Sequence, residues 1–233
     1  MSEWLKEADC KSAGSAYVGS NPTLPIAKNI MSSFFPLFSS IINVSHLDDM
    51  PELFDYVENQ SFDFQGNVTN NISSSSLQSD DLYLLDKFPQ YKEVFLNEFI
   101  DFKDKVLRYT NTDFRITTSW STKSVKGSQG SLHKHSNNYY SGVFYFGEVD
   151  ELTAPIEFTG LFNSPTDFCF EAEEYNIYNS SSWTITPEKN MLIFFPAYLI
   201  HRIGLHMSDN PRYSIAFNVM PKTPYGSRDN QVR

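Results

Sequence analysis

The stretch Met191 to Phe217, MLIFFPAYLIHRIGLHMSDNPRYSIAF, decides the fold. Met191 to Phe195 is an unbroken apolar run that stops at Pro196-Ala197, the length and punctuation of a buried strand and its turn. After a polar break at Ser208 to Pro211, Tyr213, Ile215 and Phe217 alternate with Arg212, Ser214 and Ala216, the period of a strand with one apolar face and one mixed face. Upstream the same period recurs in Phe114-Ile116, Val143-Tyr145, Ile156-Phe158, Trp183-Ile185 and Leu192-Phe194, separated by Gly, Asn and Pro turns. Many short, evenly spaced strands predict a mainly β fold with flanking helices, of the jelly-roll type. The 20 Phe and 13 Tyr agree, because flat rings pack well on pleated surfaces.

Two helices are expected before the sheet. Leu53, Phe54 and Val57 sit at helical spacing behind Asp48 and Asp49, either of which suits a cap. Pro89 opens a longer helix to about Tyr109, with Tyr91, Val94, Phe95, Phe99, Phe102 and Val106 on its apolar face. Phe34 to Val44 reads as a first strand, residues 61–81 as an Asn/Ser-rich loop, and residues 222–233 as a flexible polar tail. The domain is expected over 31–221, with no internal boundary and no repeat.

Residues 1–30 read differently. Back-translating Val18 to Thr23 with permitted codons gives GTC GGT TCG AAT CCG ACC, a hairpin stem around TTCGAAT that looks like the TΨC arm of a transfer RNA. Asp9 to Ser12 gives GAC TGC AAA TCT, which looks like an anticodon loop, and Trp4-Leu5 fits the approach to a D-arm. The expectation is a non-native, disordered extension translated from a tRNA gene, with Met31 as the true start; the bland alternative is an ordinary polar extension lacking a periodic apolar face.

Net charge of −10 and the lack of a Lys/Arg run argue against duplex nucleic acid as a partner. No apolar run has the ~18 residues of a membrane span. Cys10 and Cys169 provide neither a disulfide framework nor a C-x-x-C pair, which suits a reducing cytoplasm, and Cys169 between Phe168 and Phe170 reads as a buried apolar residue. Phosphate-binding glycine loops and Cys-His nucleophile patterns are absent, and Gly127 to Gly130 reads as a turn.

Chemistry concentrates in three of the five histidines. His133-Lys134-His135 at the mouth of a strand puts two imidazoles on one face, and His201 follows the strand that ends at Pro196. An H-x-(D/E/H) pair with one distant His is the spacing of a non-haem iron facial triad, which leaves positions open for other ligands. An isolated H-x-H is more often two solvated or core histidines; the downstream His is what raises it. Arg212 and Ser214 share a strand face, so a guanidinium and a hydroxyl can grip a carboxylate together; by itself Arg212 would more often be a surface residue on an edge strand. Asn137, Glu148 and Asp150 stand as alternative ligands, and His46 and His206 read as surface residues.

At this point the chain resembles the phage and bacterial branch of the 2OG-Fe(II) oxygenases, found in phages of marine cyanobacteria among others. The resembling blocks are Ile116 to Trp120, His133 to His135 running into Ser141 to Tyr145, Met191 to Pro196 with His201, and Arg212 to Asn218, across roughly Phe34 to Pro221. The resemblance implies a cupin-like double-stranded β-helix that binds Fe(II) and 2-oxoglutarate, uses O2, and usually hydroxylates a substrate, here a small molecule or a protein side chain. It implies His133 and His201 as ligands, Arg212 as the cosubstrate anchor and Tyr145 as its helper. A phage-encoded member would work in the host bacterial cytoplasm. Position 135 departs from the family, which usually has a carboxylate there. Two other readings compete: a three-His cupin-like metal protein that does not use 2-oxoglutarate, and a non-catalytic jelly-roll module of a virion.

Overall fold

The computed structural model describes residues 39–62, 64–65, 75–110, 112–160 and 171–233. The expected extension at 1–30, the start of the first strand at Phe34, the middle of the 61–81 loop, and both cysteines lie outside the described residues.

Among the described residues, ten strands form two sheets. In chain order they are β1 (Asn43–His46), β2 (Phe64–Gln65), β3 (Leu77–Gln78), β4 (Phe114–Ser124), β5 (Tyr140–Phe146), β6 (Ile156–Thr159), β7 (Ser182–Ile185), β8 (Met191–Pro196), β9 (Ile200–Ile203) and β10 (Arg212–Pro221). The larger sheet runs β1-β8-β5-β10-β4-β3-β2 and the smaller β7-β6-β9, antiparallel throughout. The chain passes from β4 and β5 in the larger sheet to β6 and β7 in the smaller, and then switches sheet at each step through β8, β9 and β10, which makes the expected double-stranded β-helix. All six stretches read as period-two strands are strands.

Alternation sorts the larger sheet's two faces. Tyr213, Ile215, Phe217 and Val219 of β10, Phe144 and Phe146 of β5, and Leu192 and Phe194 of β8 point outward into one aromatic core. Val143, Tyr145, Ile193 and Phe195 point between the sheets, where Ile156 and Phe158 of β6 meet them. A bulge between Asn218 and Val219 shifts the register against β4. It lets Ile116 face the outer core while Thr118, Trp120 and Thr122 face inward.

Helix α1 (Pro51–Glu58) buries Leu53 and Val57. Neither Asp48 nor Asp49 caps it: Met50 precedes the helix without a side-chain cap, Pro51 presets the first turn, and Asp49 instead pairs with Lys189 (3.2 Å) and accepts from Asn190 (2.8 Å). Helix α2 (Pro89–Phe102) lays Phe95, Phe99 and Phe102 on the outer core, Phe95 stacking on Phe217 at 5.2 Å between ring centres. Val94 and Val106 are exposed, contrary to the expected face. Val94 sits a hundred degrees round from Phe95, and Val106 lies in the wider π-type turn Lys103–Leu107, which rotates it away.

Gly142 pairs with Phe217 across β5 and β10, and a Cβ there would stand 2.3 Å from the Phe217 ring. That ring is fixed between Phe95 and Phe194 and cannot retreat. Gly142→Ala is therefore expected to destabilise the fold by about 1–3 kcal/mol, the usual cost of overpacking, read as a lower midpoint in urea at unchanged slope. At the chain's end, residues 222–233 turn back on themselves where a plain tail was expected: Tyr225 and Val232 exchange backbone hydrogen bonds (3.1 and 2.9 Å) around a short 3₁₀ turn at Arg228–Asn230.

Candidate metal centre

Backbone pairing brings the histidines together. His133 N–H donates to the His201 carbonyl and His201 N–H to that of His133, both at 2.9 Å, while His135 N–H donates to the Ala197 carbonyl at 2.9 Å. His133 is a single bridge to β9, so the regular strand expected at H-x-H is reduced to one residue pair. His201 lies in β9, a strand that the sequence reading missed because Ile-His-Arg-Ile carries no period-two alternation.

The imidazoles converge. Their ring centres lie 4.4 Å (His133–His201), 5.2 Å (His133–His135) and 5.1 Å (His135–His201) apart, and one nitrogen from each falls within 4.8 Å of the others. His135 Nε2 and His201 Nε2 are 3.3 Å apart, close to the roughly 3 Å between two nitrogens bound side by side at ~2.1 Å to one ion. A carbonyl can only accept, so His133 Nδ1–H donates to Ser131 O (2.8 Å) and His201 Nδ1–H to Leu199 O (2.9 Å), leaving each Nε2 lone pair free. Phe195 (4.6 Å) and Phe158 (6.0 Å) enclose His201, and Trp120 (5.6 Å) lies against His135. Burial, helped by His133, pushes His135 down to about 4 and His201 to about 3, so both are neutral donors near pH 7.

The three rings open on a cavity of about 320 Å³ between the sheets, which Arg212, Ser214 and Tyr145 also line. Arg212 is only 3% exposed, yet its Nε and Nη1 have no hydrogen-bond partner, and neither does the buried Tyr145 hydroxyl. The guanidinium lies 4.8 Å from the Tyr145 ring centre. Burial pushes the arginine's pKa down, opposed by Tyr145, and pushes the phenol up. Ser214 Oγ lies 2.6 Å from Thr122 Oγ1. No Asp or Glu lines the cavity among the described residues. A buried cation with unpartnered donors and no acid beside it is shaped for an anionic ligand.

The sequence reading missed Trp120 and Thr122, and also the chain Ser141 Oγ–H to Asn218 Oδ1 to Thr118, with both bonds at 2.9 Å. The available signal was period two in β4, where Thr118, Trp120, Thr122 and Ser124 share the inner face opposite Arg212 to Asn218. The alternative ligands fall away. Asn137 is exposed in a left-handed turn (φ 60°), Glu148 is exposed, and Asp150 accepts from Ser208, Thr153 and Leu152. His46 is exposed and pairs with Glu188 (3.0 Å), but His206 is fully buried, contrary to expectation. Its Nδ1 accepts from Ala154 N–H (3.1 Å) and its Nε2–H donates to Asn210 O (2.9 Å), so it ties two loops together rather than meeting solvent.

Residues 118–218 match the family model described as "Putative 2OG-Fe(II) oxygenase". No curated protein matches the chain. Among solved structures, the non-haem alpha-ketoglutarate-dependent epimerase SnoN from nogalamycin biosynthesis is similar over 78% of either chain (12% identity, TM-score 0.54). A prolyl hydroxylase from Trichoplax adhaerens, bound to a hypoxia inducible factor peptide fragment, is similar over 77% of this chain and 83% of that one (11%, TM-score 0.53). HygX from Streptomyces hygroscopicus, with nickel and 2-oxoglutarate bound, covers 79% and 84% (12%, TM-score 0.50). At such identities the likeness is one of fold. Fold and family match coincide: the residues matched by the family model, 118–218, fall within the part of the chain whose fold is shared with these structures.

Proposed function

We propose that the protein is an Fe(II)- and 2-oxoglutarate-dependent dioxygenase that uses O2 to hydroxylate a protein side chain or a small molecule. His133, His135 and His201 hold the metal; Arg212, with Ser214 and Tyr145, holds the cosubstrate's distal carboxylate. The observation that carries this reading is the buried Arg212 guanidinium, whose Nε and Nη1 have no hydrogen-bond partner, in the same cavity as three converging imidazoles. A three-His centre that made no use of an oxo-acid would have no need of that cation, and a virion module would need neither feature.

Bound iron(II) would bind O2 and pass to it two electrons supplied by oxidative decarboxylation of 2-oxoglutarate to succinate and CO2 and two supplied by the substrate. The chain's own part is placement. Carbonyls of Ser131 and Leu199 fix the tautomers and aim of His133 and His201, and Phe195, Phe158 and Trp120 keep water from the rings. Thr122 holds Ser214 beside Arg212. No helix among the described residues is long and apolar enough to cross a membrane. A reducing cytoplasm suits ferrous iron and a chain without a disulfide framework.

Anaerobic titration with Fe(II) and 2-oxoglutarate tests the assignment. A weak visible charge-transfer band should rise to saturation only when both are present. If no such band forms although iron binds, the cosubstrate assignment is wrong.

A further inference from the structure

At the triad end of the cavity we infer a substrate subsite, in which Thr118 and Trp120 offer two neutral hydrogen-bond donors and select an uncharged substrate that presents an amide carbonyl. The inference rests on the oxygenase reading of the cavity and goes beyond it to the chemical class of substrate.

The register of the larger sheet sets out its inner face in rungs. Tyr145, Ser214 and Thr122 pair across β5, β10 and β4 in the rung beside Arg212. Val143, Ala216 and Trp120 form the next, and Ser141, Asn218 and Thr118 the one after that. Cross-strand partners share a face, so two polar rungs are separated by one that is apolar except for the indole nitrogen. The triad stands over the second and third rungs: Trp120 is 5.6 Å from the His135 ring, and Phe195, which pairs with Ser141, is 4.6 Å from that of His201. A cosubstrate reaching from Arg212 to the metal uses the first rung and leaves Thr118 for another ligand.

Hydrogen bonds give the third rung a direction. Ser141 Oγ–H donates to Asn218 Oδ1, and Asn218 Nδ2–H donates to Thr118 Oγ1, both at 2.9 Å. Turning the amide round would strand the proton of Ser141, which is 2% exposed and has Asn218 as its one side-chain partner. Thr118 is half-buried and lines the cavity, and its own proton finds no acceptor among the described residues. Bonds in series polarise one another, which strengthens this last donor. Two residues along the same strand face, Trp120 lines the same cavity; its Nε1–H makes no hydrogen bond among the described residues and is not sealed in.

No cation serves this corner. Arg212 belongs to the far rung, Arg202 Nε donates to Glu157 of β6 (2.6 Å), and Lys134 is exposed. A carboxylate buried here would give up its hydration for two neutral bonds, whereas an amide carbonyl gives up far less. The donors therefore suit the neutral oxygen.

The test uses the full chain loaded with zinc(II), which is redox-inert, and saturated with 2-oxoglutarate. It follows the indole N–H resonance of Trp120, one of three tryptophans, assigned by its loss in Trp120→Phe. The probes are acetamide and N-methylacetamide, with acetate as the anionic counterpart of the first. Either amide should shift the resonance saturably and acetate should not. Tighter binding of N-methylacetamide points to a peptide bond in the substrate, and of acetamide to a carboxamide. Thr118→Val keeps the shape but removes the hydroxyl and should weaken amide binding about fivefold, the worth of one neutral hydrogen bond, while Thr118→Ser should retain it. Asn218→Asp can only accept when ionised, so it should draw the Thr118 proton inward and cost as much; should it fail to fold, the two Thr118 variants still decide. An equal shift with acetate, no saturable shift with either amide, or indifference to Thr118→Val each overturns the subsite. All three leave the oxygenase reading standing as long as 2-oxoglutarate binds the zinc-loaded chain, and failure of 2-oxoglutarate to bind overturns both.

Discussion

Arg212→Lys raises the concentration of 2-oxoglutarate needed for half-saturation by roughly 10- to 100-fold. The guanidinium is a planar fork whose Nε and Nη1 have no hydrogen-bond partner, and either edge, Nε with Nη2 or Nη1 with Nη2, can grip a carboxylate with two parallel bonds. Lysine keeps the charge, but its ammonium is a strongly hydrated point charge that cannot make the fork. Losing a charge-assisted hydrogen bond costs about 1.5–3 kcal/mol, and each 1.4 kcal/mol is tenfold in affinity. Because Arg212 is not among the three groups that converge as ligands, metal bound without cosubstrate should survive the change. The measurement is succinate formation, or growth of the ferrous charge-transfer band, against 2-oxoglutarate concentration. An unchanged requirement would mean that the orphaned donors of Arg212 serve something else.

The second large effect separates two substitutions at one position. His135→Ala removes a donor nitrogen and leaves two imidazoles, so metal affinity should fall by at least about 100-fold, since even groups that only orient ligands are worth 10- to 100-fold. His135→Asp puts a carboxylate where the wider family usually has one and restores a negative charge beside the ion, so affinity for Fe(II) or Mn(II) should hold or rise. Competition against a chelating dye reads both variants. Equal loss in both would show a geometry built for three imidazoles and favour the three-His reading without 2-oxoglutarate. No loss in either would remove His135 from the ligand set, and among the described residues no other acid or imidazole stands ready to replace it.

How much of this was legible in the sequence follows from the range of the forces involved. Alternation is local: each side chain's face depends on its neighbours one and two residues away, so Tyr213, Ile215 and Phe217 declare the core face, and Arg212 and Ser214 the cavity face, before any fold is known. The sequence thereby determined the strands, the class of fold and three histidines of the right kind. It could not determine where elements are interrupted by contacts from elsewhere. β9 owes its existence to pairing with β6 and the bridge to His133, not to its own pattern. Val94 and Val106 are exposed where a buried helix face was expected, Val94 because it lies a hundred degrees round from Phe95 and Val106 because it lies in a π-type turn. His206 looks like any polar loop histidine, and only the loops that close over it bury it.

The site itself divides along the same line. Residue types and spacing were enough to nominate His133, His135, His201, Arg212, Ser214 and Tyr145 from the sequence. That His135 and His201, 66 residues apart, come within 3.3 Å, that Trp120 stands beside His135 and Thr122 beside Ser214, and that Arg212 is buried without an acid were decided only when the sheets closed. The reason is physical: a strand fixes the direction of its own side chains through local backbone geometry, whereas which distant strands face one another depends on how the apolar faces of the whole chain are best buried together.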